Sequence, residues 1–467
     1  MPVKKPTQAR RAKGRKQGSQ RPIFFMVTIY KSKAKTPKGP QHLDLTIERW
    51  DAEGQSIAFY QGKICFVDGV LPGESVKVKV TEQKPQYLKA EVQKVLKASE
   101  QRIAPLCRFA SECGGCQLHH VSAENARILK QQALDEHLKH QFKLDVLPWQ
   151  PMLTGTATGY RRKARIGVWF EKKTNEFVVG FRRKGGKEIT PVSDCMVLSP
   201  VIAPVFRVLS DTLPKLKAGT AITHVEVLDA AGKAFVVVRH IKALSAEDKS
   251  LLQQAWPEAC WIGEAQSDEF CFWGEPKQPQ YQLTQGLTLA FAPTDFIQVN
   301  EAVNQQMVTQ ALDWLQLKNT DKVLDLYCGI GNFSLALAKQ AAQVVGLEGV
   351  ATMVTTATDN AQLNALANVS FAQADLHLAW PKAPWNQSQY QKVLLDPARA
   401  GALGAIDEVA RLKPETVLYV SCNPVTFARD AKVLLGKGYS LSKIGLMDMF
   451  PYTSHLELMA LFSHTRQ

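Results

Sequence analysis

From residue 296 onward, five short apolar runs recur at helix-length intervals: 322–326, 344–347, 369–371, 392–395 and 417–420. Few folds satisfy that rhythm. A continuous apolar run suits a strand buried on both faces, and the segment between two runs supplies the crossover that parallel strands need. The C-terminal third therefore reads as a doubly wound α/β unit. In open sheets of this kind, ligands bind outside the carboxyl ends of the strands. The residues at those ends carry the information about function.

The first run continues as Val323-Leu-Asp-Leu-Tyr-Cys-Gly-Ile-Gly-Asn-Phe-Ser. Gly329 and Gly331 permit a tight turn and close approach of the backbone to a ligand. The second run ends at Glu348, 23 residues after Asp325. An acid at that position can accept hydrogen bonds from ribose hydroxyls. The third leads to Asp375 and the fourth to Asp396. Asp also caps helices well, but four acids at consecutive strand ends beside a glycine loop point to binding. A strand-1 Asp, a G-x-G loop and a strand-2 Glu form the pattern of S-adenosylmethionine-dependent methyltransferases. The third glycine of the dinucleotide fingerprint is missing, and so is the Lys of a P-loop.

The fifth run ends in Val420-Ser-Cys-Asn-Pro424. Cys422 thus sits at the same edge, where a thiol can attack a substrate. Taken alone it reads more readily as a small structural hydrophobe. The neighbouring motifs favour chemistry.

A chain of 467 residues is too long for a single core and should form two to four domains. Residues 41–98 read as four or five short strands, with Gln61-Gly62 as a hairpin turn, and suggest a small barrel of the OB type. Residues 121–140 read as a helix, and 158–292 return to strands. The net charge of +14 is concentrated at one end. Residues 1–40 hold twelve Lys/Arg and no acid, leaving 45 basic against 43 acidic residues elsewhere. Such an arm should be disordered and bind nucleic-acid phosphates without sequence preference. Met26 is an alternative start. No apolar run reaches membrane-spanning length and no export signal is visible, so the chain is expected to be cytoplasmic, with reduced thiols and no membrane partner.

Cys107, Cys113 and Cys116 fall within ten residues, around Gly114-Gly115, in a chain with nine Cys. Thiolate-only ligation suits zinc or an iron–sulfur cluster. A fourth ligand is needed, and chemistry alone leaves Cys65, Cys195, Cys260 and Cys271 open. Two basic stretches beside aromatics, Tyr160-Arg-Arg-Lys-Ala-Arg165 and Phe181-Arg-Arg-Lys184, suit contact with RNA.

Together, Asp325-Leu-Tyr-Cys-Gly-Ile-Gly-Asn-Phe, Leu395-Asp-Pro-Ala-Arg-Ala-Gly401, Val420-Ser-Cys-Asn-Pro424, His455-Leu-Glu457 and Asp295-Phe-Ile-Gln-Val-Asn300 resemble the RNA uracil-5-methyltransferase family. With a barrel and a Cys-Gly-Gly-Cys cluster, the chain is similar to the branch that modifies 23S ribosomal RNA. The resemblance implies a multidomain α/β protein: a basic arm (1–40), a TRAM barrel (41–99), a central RNA-binding, mainly β region (100–295) whose helix at 121–140 packs on the catalytic domain, and a Rossmann-like methyltransferase domain (296–467). It makes Cys422 the nucleophile and Glu457 the base. It sets S-adenosylmethionine against Gln298, Tyr327, Asn332, Glu348, Asp375 and Asp396, with Asp396 facing either the cofactor or the uracil. It selects Cys195 as fourth ligand, with Cys107, Cys113 and Cys116, to a 4Fe-4S cluster. The substrate would be 23S rRNA and the protein a monomer.

The implied chemistry is covalent. Uracil C5 is too weak a nucleophile to take a methyl group unaided; addition of a thiolate at C6 makes it enolate-like. Cys422 should then have a lowered pKa, helped by the start of the helix that follows it. Cys328, although in the glycine loop, is expected to be a bystander. The competing readings are methylation of a different rRNA or tRNA uridine and a non-catalytic RNA-binding assembly factor.

Overall fold

The computed structural model describes residues 42–464, apart from 267, 268, 379, 381 and 388. The basic arm and Met26 lie outside the described residues. Among the latter, three larger sheets and one two-stranded ribbon form.

The first sheet contains β1 (His42–Thr46), β2 (Arg49–Trp50), β3 (Ser56–Tyr60), β4 (Lys63–Val67), β5 (Ser75–Gln83) and β6 (Tyr87–Lys97), in the order β1-β5-β6-β4-β3-β2. β1 also lies against β3, which curls the sheet around Val67, Val76, Val78 and Leu88. Val76, Val78 and Val80 of β5 face inward while Lys77 and Lys79 face water, the two-residue period of a half-buried strand. Gln61 and Gly62 both have positive φ, 49° and 77°, as a two-residue hairpin turn requires.

Helix α1 (Ala123–Phe142) begins at Ser122, whose side chain accepts from Asn125 N–H. Its Leu134 and Leu138 are buried in the catalytic core, and Phe142 meets Phe427 edge-on. Lys130 and Arg127 pair with buried Asp448 at 3.8 and 3.5 Å.

The central sheet holds β7 (Lys163–Glu171), β8 (Glu176–Arg182), β9 (Ile189–Pro191), β10 (Ile222–Ala230), β11 (Lys233–His240), β12 (Cys260–Glu264) and β13 (Phe270–Phe272). Its order is β13-β12-β11-β10-β7-β8-β9. Helices α2 (Val205–Thr212) and α3 (Ala246–Ala255) cover one face through Phe206, Leu209 and Leu252. On the other face, Leu228, Phe235, Val237 and Ile262 run without a break into the catalytic core. A ribbon of β14 (Gln280–Leu283) and β15 (Leu287–Ala290) bridges the two.

The last sheet is doubly wound. It comprises α4 (Glu301–Leu315), β16 (Lys322–Leu326), α5 (Ser334–Ala338), β17 (Gln343–Glu348), α6 (Ala351–Leu363), β18 (Val369–Gln373), α7 (Pro384–Gln387), β19 (Lys392–Leu395), α8 (Ala405–Leu412), β20 (Thr416–Ser421), α9 (Pro424–Gly436), β21 (Tyr439–Met447) and β22 (Glu457–His464). Strand order is β18-β17-β16-β19-β20-β22-β21, so the chain reverses direction across the sheet between β16 and β19. That switch point opens a crevice at the strand carboxyl ends. β16 to β20 are parallel; β22 inserts antiparallel between β20 and β21. Outside the sheet, Trp149 and Leu153 bridge to Ile444 and Met447 of β21.

The Asp448 pair ties α1 to the end of β21 with both side chains at least 95% buried. Removing one partner strands the other charge in a dry site, which typically costs about 3–5 kcal/mol. Asp448→Ala is expected to lower the urea midpoint accordingly. A shift equivalent to less than about 1 kcal/mol would mean the pair is solvated.

Candidate active site

The glycine loop leaves β16 under backbone strain. Tyr327, Gly329 and Gly331 all have positive φ, 63°, 56° and 94°. A bulky residue such as Tyr rarely adopts that region. The turn is held from β17: Glu348 Oε2 accepts from Gly329 N–H at 3.1 Å, and Oε1 accepts from Val350 N–H at 3.0 Å. Asn332 exchanges hydrogen bonds with Asn304 and accepts one from the Tyr281 hydroxyl. Gln298, Tyr327, Asn332, Glu348 and Asp396 line one cleft of about 780 Å³. Asp375 does not line it. Its carboxylate is exposed and accepts from His377 N–H, though its charge bears on the Tyr327 hydroxyl. Asp325 is also displaced from the expected edge. It is fully buried behind the loop and accepts from Ser334 Oγ at 2.5 Å. The strand-1 acid thus braces the start of α5.

Cys422 and Glu457 share the cleft. Their meeting follows from pairing: Ser421 of β20 lies opposite Leu458 of β22. The residue after β20 and the first residue of β22 therefore emerge at one edge. Asn423 caps α9, accepting from Val425 and Thr426 N–H, with Pro424 in the first turn. Its amide donates to the Arg399 carbonyl. The Arg399 guanidinium in turn donates to His455 Nδ1 at 2.5 Å.

The electrostatics correct one expectation. The Cys422 thiol is pushed up to about 11, by burial first and then by the charges of Glu457 and Asp396; Arg399 opposes weakly. The helix start does not outweigh desolvation and two carboxyls. Glu457 is itself pushed up to about 8, by burial and then Asp396. Burial raises Asp396 to about 7. The cleft thus holds three acids shifted toward their protonated forms.

Cys107, Cys113, Cys116 and Cys195 line the opposite end of the same cleft. They are near enough that Cys195, Cys113 and Cys107 all raise the Cys116 thiol, after burial. Among the described residues, no three His, Cys, Asp or Glu close on one point as a single ion requires. The donor set is four thiols, a chemistry that suits zinc and iron–sulfur clusters alike. Cys65 is buried in the barrel core, and Cys328 packs under Gly346.

Sequence reasoning misassigned part of the basic stretch at 160–165. Arg162 is buried: Nε donates to the Gln298 carbonyl at 2.8 Å and the guanidinium lies 4.4 Å from the Tyr281 ring centroid. Lys163 Nζ donates to the Pro293 and Asp295 carbonyls. Both cations hold the backbone at 293–298, beside the cleft, in place. Arg165 and Arg182, Arg183 and Lys184 remain exposed. A second cleft, of about 400 Å³, lies between the barrel turn and the catalytic sheet and shares Arg399, Cys422 and His455 with the first.

A sequence model described as tRNA (uracil-5-)-methyltransferase matches residues 128–465. The chain belongs to this family. A TRAM domain model matches residues 41–93. The 23S rRNA (uracil(1939)-C(5))-methyltransferase RlmD of Vibrio campbellii is 42% identical over 439 residues, covering 94% of this chain and 99% of that protein. The protein of the same name from Pectobacterium atrosepticum is 41% identical, covering 91% and 94%. Among solved structures, Pyrococcus abyssi tRNA (uracil-54, C5)-methyltransferase in complex with S-adenosyl-L-homocysteine shares the fold, with TM-score 0.69, 21% identity and coverage of 90% and 100%. This uracil-5-methyltransferase therefore combines the family's catalytic fold with a TRAM barrel.

The raised acids make stability depend on pH. A free Glu ionises near 4.5, folded Glu457 near 8. Between those values the folded protein binds more protons than the unfolded chain. The stabilisation is complete below about 4.5 and is lost as pH rises through about 8. Glu457→Gln should therefore gain on the natural protein by a few degrees of thermal midpoint between pH 5 and 8.5. A difference that stays flat over that range would show Glu457 to be ionised throughout.

Proposed function

We propose that this uracil-5-methyltransferase uses S-adenosylmethionine to methylate C5 of a uridine in 23S rRNA, acting as a cytoplasmic monomer. The observation that carries the reading is the convergence of Cys422, Glu457 and Asp396 on the cleft lined by the glycine loop. The names of the relatives favour 23S rRNA over tRNA. The TRAM match adds an RNA-oriented module.

Cys422 adds to uracil C6, forming a C–S bond and sending electron density to C5. S-adenosylmethionine, when bound, would supply an electrophilic methyl carbon: as the C5–CH3 bond forms, the S–CH3 bond would break, its electron pair staying on sulfur as the neutral thioether of S-adenosylhomocysteine. Glu457 then removes the C5 proton; that C–H electron pair becomes the C5–C6 double bond as the C6–S bond breaks. This covalent route divides one difficult step into easier ones. The raised pKa of Glu457 suits a group that takes up a proton near neutral pH. A sulfonium bound near Asp396 would add a positive charge to that of Arg399 and would favour ionised Cys422 and Glu457. Gln298, Tyr327, Asn332 and Glu348 would form the wall that orients the donor, with Asp375 at its outer margin. The target base must leave its stack to reach Cys422.

The thiols fit a 4Fe-4S cluster held by Cys107, Cys113, Cys116 and Cys195. When bound, it would cross-link two distant segments of the chain. Purification without oxygen should give a brown protein containing iron and sulfide. Zinc at one per chain would overturn the assignment.

Cys422→Ala should abolish methyl transfer to unmodified 23S rRNA while leaving RNA binding intact. RNA carrying 5-fluorouridine should trap a covalent adduct with the natural protein, since fluorine does not leave as a proton does. Binding without an adduct would contradict the mechanism. Transfer to tRNA but not to 23S rRNA would replace the substrate.

A further inference from the structure

Glu457 is the first residue of β22, where strand ends fray, and it follows an irregular loop, 448–456. Tyr452 in that loop has φ 62°, a strained conformation for a bulky residue that persists only where its surroundings impose it. The surroundings come from the thiol-bearing segment. Gln117 N–H and Leu118 N–H both donate to the Tyr452 carbonyl, each at 2.9 Å. Gln117 Oε1 accepts from Ser454 N–H at 3.4 Å, and Gln117 Nε2 donates to the Gly114 carbonyl at 2.9 Å. The His119 ring stacks on Tyr452, with centroids 4.5 Å apart and planes 21° from parallel. From the start of β7, the Tyr160 hydroxyl donates to the Pro451 carbonyl at 3.3 Å.

We infer that residues 113–120 act as a clamp on the loop that carries Glu457, with Gln117 as the positioning residue that joins the thiol turn to the base. The inference rests on the reading of Glu457 as the base. Gln117 does not line the cleft that holds Glu457, only the smaller one on the other side of Cys422. It fixes where β22 begins, and so where the carboxyl points. A misplacement of about 1 Å can cost on the order of a hundredfold in rate. The step at risk is the last one. Thiol addition and methyl transfer do not need Glu457; removal of the C5 proton and release of the thiol do. A loosened clamp therefore lets the enzyme methylate its RNA and then holds it as a covalent C6–S adduct.

The test uses the full-length, metal-loaded protein and an unmodified transcript of the substrate region of 23S rRNA. Gln117→Met keeps the side-chain length and removes both polar ends. It should lower kcat ~10–100-fold, with KM for RNA nearly unchanged, and accumulate a protein–RNA adduct on denaturing gels with ordinary uridine. Gln117→Glu retains an acceptor for Ser454 N–H and should recover most of the turnover. His119→Leu removes the stack while leaving Gln117 and the thiols in place. It carries the same expectation as Gln117→Met and serves if that variant loses its iron or its unfolding transition. Glu457→Gln is run beside them. Adduct in Glu457→Gln but none in Gln117→Met and His119→Leu overturns the clamp alone. No adduct in any of the three removes Glu457 as the base, and the clamp with it. Natural turnover in both clamp variants also overturns it.

Discussion

The pairing of β22 with β20 is the constraint on which the site depends. β20 is the last strand with a parallel neighbour, and its carboxyl end delivers Cys422 to the crevice. A parallel strand in the place of β22 would have brought its own carboxyl end there and its amino end to the far side. Because β22 runs the other way, its first residue arrives beside Cys422. One reversal of direction thus puts two reactive groups from opposite ends of two strands against one substrate face. A slip of one residue in this register would turn every β22 side chain to the other face and remove Glu457 from the cleft.

The charge balance of the cleft has the same economy. Burial pushes Cys422, Glu457 and Asp396 toward their neutral forms, and Arg399, largely engaged with His455, does little to oppose it. Such surroundings keep the thiol in its less reactive, protonated form. Reactivity would then arrive with a cation rather than reside permanently in an exposed thiolate open to oxidation.

Much of the catalytic half was legible in the sequence. Continuous apolar runs at helix spacing reveal buried parallel strands, and 322–326 and 392–395 coincide with β16 and β19. β21 and β22 escaped notice because β22, the one strand that runs against the others, is inserted between β20 and β21 and departs from the parallel rhythm. β12 to β15 fall inside the stretch read as strands, 158–292, without having been bounded one by one. At the site, Cys422 and Asp396 stood out because reactive residue types end apolar runs, whereas Glu457 was reached only through the resemblance carried by His455-Leu-Glu457. The thiol's pKa was misjudged because desolvation depends on neighbours far away in sequence. Asp325 misled for a related reason: a carboxyl at a strand end looks the same whether it faces the crevice or braces a helix. Arg162 was read as a contact for RNA since one line of sequence does not separate a buried cation from an exposed one. Gln117 carries no such signal at all; its partners lie 337 positions away at Ser454.

The bridges from Trp149 and Leu153 to β21, and the Lys432–Gln141 bond across 291 positions, have a bearing on how the protein is made. The barrel closes on local pairings and can form early in synthesis. The long-range contacts cannot. Leu134 and Leu138 of α1 are buried against strands of the last sheet, which the ribosome delivers much later. A nascent chain that already displays its RNA-oriented barrel therefore has no assembled active site. The cleft is completed only when β22 has been made and has paired with β20, so the first half of the chain waits on the second for its own burial.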